Sequence, residues 1–264
     1  MHRPILSIAF LVLASGIAQA ADKPDPSTGE VEKIISSFAD NEAAFAKARE
    51  NYTYRQTAKI QEFDESGVPG GRFEIASDIV FADEGRKRTE RVVRAPAPSL
   101  RLIQMSPADE QDLRNVLPFV LTSKDIGNYH VRFLGQQKAD EIPCYVFAVK
   151  PKSMEPGKRY FTGQIWVDDR DLMIVKSYGR STGILKKGSD EQFPKFETYR
   201  EQVDGKYWFP TYTIANSTLH FKDASPRVRL SVKYEDYKQF KSDTTITFGD
   251  QVDPNAAPKD PKKP

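Results

Sequence analysis

Cysteine occurs once in the 264-residue chain and histidine three times. A lone thiol permits no internal disulfide, so stability has to come from packing and backbone hydrogen bonding. So few thiols and imidazoles leave little material for a multi-ligand zinc site. A surplus of one charge is also missing, since 39 basic residues face 37 acidic ones. That balance argues against a dedicated nucleic-acid binder, and no nucleic acid is expected as a partner. No G-x-S-x-G, H-E-x-x-H or P-loop spacing occurs. No cofactor, metal or catalytic residue is therefore expected, and the chain does not read as an enzyme.

What is present is a folding composition, with 11% aromatic and 29% charged residues. A chain of this size buries roughly 70–75% of its unfolded surface, enough for a substantial core. The start is an address. Met1-His-Arg-Pro4 is a short basic opening, residues 5–17 are apolar or small, and Ala18-Gln-Ala20 is an A-x-A cleavage signal. Residues 1–20 read as a secretory signal peptide, because the apolar run falls short of the ~20 residues that span a bilayer. The expected location is the periplasm, as an exported protein soluble after cleavage. Residues 21–30 read as a polar linker. Residues 250–264, rich in proline and lysine, read as a disordered tail. Between them, residues 31–249 read as one domain.

Apolar residues Val31, Ile34, Ile35, Phe38, Phe45 and Ala46 recur at helical spacing, so the pattern predicts a helix over 31–49 with Thr28 as its cap. After Tyr52 the period becomes two. Tyr52, Tyr54, Gln56, Ala58 and Ile60 share one side of a strand, and Phe73, Ile75, Ser77, Ile79 and Phe81 share one side of the next. Further strands are expected at 87–94 and 100–105. A helix is expected over 107–117, opened by Ser106 as cap and Pro107 at the first position. From Tyr129 onward hairpins follow one another, including one turned by Asp204-Gly205 and a last pair at 219–222 and 228–237. The sum is a mainly β, α+β fold. We expect a strongly curved antiparallel sheet, an incomplete barrel of about ten to eleven strands, with two to three helices on its concave face.

Individual candidates stay ambiguous. His130 and His220 fall within predicted strands and suit a sheet surface better than a catalytic base. Cys144 follows Pro143 in an apolar strand and reads as a small buried hydrophobe. Asp168-Asp-Arg-Asp171 has carboxylates enough for Ca²⁺, but lacks the turn glycine and terminal glutamate and fits a solvated hairpin turn. The basic run at 85–91 is either a cationic rim for an acidic partner or a solvated strand face. Trp166 and Trp208 are core anchors or ligand contacts.

Residues 129–183 carry a resemblance. A strand and polar turn lead to Pro143-Cys-Tyr-Val146, then Lys150-Pro-Lys152, Gly163-Gln-Ile-Trp-Val-Asp168, the acidic turn, and Leu172-Met-Ile-Val-Lys176. Asp204-Gly-Lys-Tyr-Trp-Phe-Pro210 continues it. This order resembles the LolA-like outer-membrane lipoprotein-sorting proteins and their RseB-type relatives. The resemblance implies a half-barrel whose helices close an apolar cavity for lipid or lipoprotein acyl chains. Candidate cavity residues are Ile75, Ile79, Phe81, Leu100, Leu102, Phe119 and Leu121, each equally consistent with ordinary core packing. The alternative is an envelope sensor or interaction protein that binds an envelope or membrane protein through its sheet edge or its tail.

Overall fold

Period-two alternation dominates the chain, and among the described residues it becomes ten strands. The computed structural model describes residues 24–82, 87–185, 192–222 and 225–239. The expected signal peptide at 1–20 and the expected disordered tail at 250–264 lie outside these residues. In chain order the elements are α1 (Thr28–Arg49), β1 (Tyr52–Phe63), β2 (Pro69–Ala82), β3 (Lys87–Arg94), α2 (Pro107–Asn115), a 3₁₀ turn (Ile126–Asn128), β4 (Tyr129–Ala139), β5 (Ile142–Pro151), β6 (Tyr160–Asp168), β7 (Ile174–Thr182), β8 (Lys195–Val203), β9 (Tyr207–Thr218) and β10 (Arg227–Gln239).

All strands join one antiparallel sheet in the order β3-β2-β1-β10-β9-β8-β7-β6-β5-β4. It is not a simple meander. The first three strands attach to the last one, because β1 pairs with β10 from Tyr52↔Gln239 to Phe63↔Arg227. The bare edges are thus β3 and β4, consecutive in sequence and at opposite ends of the sheet. The sheet curls without closing, and Ile79 of β2 and Phe147 of β5 belong to one continuous hydrophobic core. The chain between β3 and β4, residues 95–128, therefore has to cross the hollow of the sheet.

α1 fills one part of that hollow. Ser27, not Thr28, caps it: the Ser27 N–H and hydroxyl both donate to Glu30 Oε2, at 2.8 and 2.6 Å. Phe38 packs on Phe147 with ring centroids 5.4 Å apart, and Phe45 meets Phe209 edge-on at 5.1 Å. Where two to three helices are expected on the concave face, one long helix is found among the described residues, beside the nine-residue α2 and a 3₁₀ turn.

Two expected strands are not strands. Residues 100–105 make no ladder; the backbone N–H groups of Arg101, Leu102 and Ile103 turn instead to a side chain, as described below. Residues 219–222 are loop, because β9 runs on to Thr218, pairs directly with β10, and Leu219 N–H closes the turn on Pro226 O at 2.9 Å. The Asp204-Gly205 hairpin forms as expected, and both residues take positive φ (56° and 66°), as a tight primed turn demands.

Candidate ligand-binding cavity

The crossing segment does not fill the whole hollow. Beside α1, between α2 and the sheet, lies a cavity of about 500 Å³. Its floor is the concave side of five strands: Ile60 (β1), Ser181 (β7), Phe196 (β8), Ala215 and Ser217 (β9), and Val228 and Leu230 (β10). Its roof is Leu102–Ser106, Asp109, Asp112, Leu113 and Leu117, and one end is closed by Gln192–Pro194, Leu219 and Phe221. The volume falls in the range of about 300–1,000 Å³ usual for small-molecule sites.

The roof is held by a buried carboxylate. Period-two alternation along β1 places Glu62 on the same side as Ile60, and Glu62 is fully buried. Its carboxylate accepts backbone N–H groups from Arg101 (3.1 and 3.0 Å), Leu102 (2.8 Å) and Ile103 (2.8 Å). Burying that charge is costly unless hydrogen bonds replace water, and three consecutive amides do so. They also bend residues 99–105 into a strap over the end of β1. The strap needs Gly71 beneath it, since a Cβ there would lie 2.1 Å from Ser99 O and 2.7 Å from the Glu62 carboxylate.

α2 starts where the strap ends. Ser106 Oγ accepts from Asp109 N–H at 3.2 Å, and Asp109 Oδ2 accepts from Ser106 N–H at 2.9 Å. Beyond α2 the segment is tied down by three polar bonds, those of Thr198 and Arg200 buried. Thr198 Oγ1 donates to Leu117 O at 2.8 Å, Arg200 donates to Phe119 O, and Ser123 N–H donates to Ala39 O at 2.9 Å. Arg200 also pairs with Glu42 of α1, with Nη1 at 2.9 Å from Oε1 and both side chains buried. Burial raises the Glu42 carboxyl above the usual range, and Arg200 opposes that shift.

On the sheet side, facing glycines make room for a ring. Gly163 and Gly179 are paired across β6 and β7, and a Cβ on either would come within 2.9 Å of the Phe161 ring. Phe161 stacks on Phe119 at 4.3 Å and meets Phe196 of the cavity floor at 5.9 Å. Two polar features mark the lining. Ser181 is 5% exposed and its Oγ has no hydrogen-bond partner. The charged groups on the described walls are Asp109 and Asp112, with no lysine or arginine among them.

Of the seven expected cavity residues, Leu102 lies on this wall. Ile79, Phe119 and Leu121 are buried in the adjoining core, Ile75 and Phe81 pack against it, and Leu100 is half-buried in the strap. Sequence reasoning missed Ile60, Leu113, Phe196, Ala215, Val228 and Leu230. Each faces inward by alternation or helical spacing, but only the β1–β10 pairing brings them together.

The remaining candidates lie elsewhere. His130 and His220 are exposed, and His220 Nδ1 sits 3.3 Å from Ser225 Oγ. Cys144 is buried. Asp168 Oδ1 accepts N–H groups of Arg170 and Asp171 at 2.6 and 3.0 Å, which makes the acidic run a self-bonded hairpin turn. Trp208 Nε1 donates to Asp171 at 3.0 Å and Trp166 Nε1 to Gln137 at 3.3 Å, so both indoles anchor structure outside the cavity. Of the basic run 85–91, residues 85 and 86 lie outside the described residues; within β3, Arg88 pairs with Glu90 at 3.2 Å. Among the described residues no helix is long and apolar enough to cross a membrane, and no cluster of three or more metal-ligating side chains occurs.

No family model matches the chain, and no curated protein matches it. Among solved structures it is similar to an outer membrane lipoprotein-sorting protein domain from Vibrio parahaemolyticus, at 13% identity and a TM-score of 0.35, over 76% of this chain and 92% of that one. It is also similar to MucB, at 13% identity and a TM-score of 0.27, over 80% and 94% of the two chains. The MucA/MucB complex of Pseudomonas aeruginosa matches at 13% identity and a TM-score of 0.24, over 74% and 93%. A lipoprotein-sorting domain is the kind of protein that the hairpins at 129–183 resemble. Identity this low constrains neither ligand nor partner.

Proposed function

We propose that this protein is a periplasmic binding protein for acyl chains of lipids or lipoproteins, held in the cavity between α2 and the sheet. The observation that carries the reading is the cavity itself: about 500 Å³, floored by Ile60, Phe196, Ala215, Val228 and Leu230 and roofed by Leu102, Ile103, Met105 and Leu113. A chain of this size could have filled its interior, as α1 does beside the cavity, yet the apolar walls stand apart. Each methylene that leaves water for such a site contributes about 0.8 kcal/mol. A dozen carbons thus offer roughly 10 kcal/mol before the cost of immobilising the ligand. The proposed periplasmic location is supported by the reading of residues 1–20 as a signal peptide.

The test is native mass spectrometry of the cleaved protein, purified from the periplasm without detergent, followed by organic extraction. We expect a bound species of lipid mass, lost in Ala215→Trp, which fills the floor. A clean unliganded mass together with no uptake of an apolar fluorescent probe would overturn the reading.

A second reading is supported by the sheet edge. β3 ends the sheet, with Val92 and Val93 51% and 41% exposed. The rest of β3 is largely charged, with Lys87, Arg88, Glu90, Arg91 and Arg94, so its outer edge would template a strand of complementary charge. In this reading the protein binds an envelope partner there. Crosslinking in the envelope, with Val92→Lys and with residues 250–264 deleted, distinguishes the edge from the tail.

A further inference from the structure

Exposed apolar side chains gather where the cavity opens. We infer that this rim of the sheet is a membrane-docking surface, which seats on a lipid bilayer so that an acyl chain passes between bilayer and cavity. The inference rests on the acyl-chain reading for the cargo, while the surface is argued from its own residues.

Antiparallel pairing sets the ends of β1, β5, β7 and β9 and the starts of β2, β6, β8 and β10 along one rim. Eight large apolar side chains are exposed among the described residues. Five of them, Val68, Leu102, Met154, Ile184 and Leu185, stand on this rim: in the β1–β2 turn, in the strap, and in the segments that follow β5 and β7. The turns of the opposite rim, at 140–141, 169–172 and 204–206, carry none of the eight. The other three, Val92, Val93 and Tyr178, lie within strands.

The rim is continuous with the cavity. A backbone bridge joins Pro156 to Ile184, and Met154 Sδ lies 3.8 Å from Thr182 Oγ1, next in the chain to Ser181 of the cavity wall. Leu102 lines the cavity and is also 43% exposed, so the cavity reaches the surface at the strap. A chain that crosses water exposes every methylene, and a mouth pressed to the bilayer avoids that exposure.

An exposed apolar patch marks a protein or a membrane partner. The form of this one favours the bilayer. Its side chains stand singly on four segments, not in a row along a strand or helix. A folded partner would need a matching relief for each, whereas a fluid interface moulds around separated points. Exposed Arg72, Arg101, Lys152, Lys195, Lys222 and Arg227 stand on the same rim. The exposed acids described there are Asp64, Glu65 and Glu155, and Glu155 pairs with Lys158 at 2.8 Å. Long basic side chains lay their stems on apolar surface and keep their charge among lipid phosphates.

The experiment is flotation of the cleaved protein with vesicles of equal parts phosphatidylcholine and phosphatidylglycerol. Uptake of an apolar fluorescent probe is measured separately in solution. The protein is expected to float with the vesicles, and the double variant Val68→Glu, Ile184→Glu to bind them at least about ten-fold more weakly. Neither residue lines the cavity, so probe uptake should be unchanged in the variant, which separates lost docking from misfolding. Val92→Glu, comparably exposed on the sheet edge, should float like the native protein. Probe uptake without flotation, or equal flotation of the rim variant, overturns the inference and leaves the acyl-chain reading standing. A dimer that the rim variant cannot form, found in place of flotation, assigns the surface to a second copy and also overturns it. Rim-dependent flotation by a protein that takes up no probe supports the docking surface and removes the acyl-chain reading.

Discussion

Leu102 N–H donates to the carboxylate of Glu62 at 2.8 Å, and this bond fixes the roof of the cavity to the end of β1. With Arg101 and Ile103 donating to the same carboxylate, one buried side chain replaces the ladder that residues 100–105 would have made as a strand.

Removing that acceptor should free the strap. Glu62→Ala leaves three part-buried amides without partners, and we expect a loss of about 1–3 kcal/mol in urea unfolding. Glu62→Gln keeps one acceptor oxygen and should lose less. Limited proteolysis of Glu62→Ala should cut first within residues 99–105. Cleavage elsewhere would show that the strap is held by other means.

Arg200 joins α1, β8 and the segment after α2 through Glu42 and Phe119 O, all buried. Truncation to alanine strands the Glu42 charge, and breaking such a pair typically costs about 3–5 kcal/mol. The double variant Glu42→Leu, Arg200→Met should recover most of that loss, measured by the same unfolding curves. A double variant no better than Arg200→Ala would mean that the bond to Phe119 O dominates.

Gly179→Ala should destabilise although it adds one methyl. Its Cβ would lie 2.4 Å from Thr162 O and 2.7 Å from the Phe161 ring, so backbone and ring both have to move. Overpacking of this kind costs about 1–3 kcal/mol. Because Phe161 packs on Phe196, the variant should also weaken probe binding in the cavity.

Alkaline pH should unfold the protein from an identifiable point. Burial pushes the Cys144 thiol from 9.0 up to about 12. Burial, with the hydrogen bond to Asp204, pushes Tyr52 from 10.0 up to about 12. Both raised groups favour their neutral form in the folded state. Their stabilisation is complete below the unfolded values and is lost as pH rises through the folded ones. Urea midpoints should therefore fall between about pH 9 and 12. In the native protein Cys144 should react with a thiol reagent only at the rate of unfolding. Rapid labelling near neutral pH would show that the thiol is reachable.

The long helix, both sides of β1 and β2, the hairpins from Tyr129 to Ala215 and the turn at Asp204-Gly205 were legible in the sequence, whereas the expected strand at 219–222 is loop. Each is a local matter: apolar spacing selects the element, and turn residues end it. The alternation on β1 even reaches Glu62, and Glu42 stands on the stripe between Phe38 and Phe45. Neither reads locally as a buried acid, because the groups that make burial tolerable, the amides of 101–103 and Arg200, lie about 40 and 158 positions away. The order of strands was likewise decided only in three dimensions. Pairing of β1 with β10 is a contact between the two ends of the sheet-forming chain, and it sends residues 95–128 across the hollow. Where that segment stands off from Ile60, Phe196 and Leu230, the interior is a cavity; where α1 presses Phe38 and Phe45 inward, it is a core. Local periodicity says which residues turn inward, but whether they meet each other or a ligand depends on what the rest of the chain leaves between them.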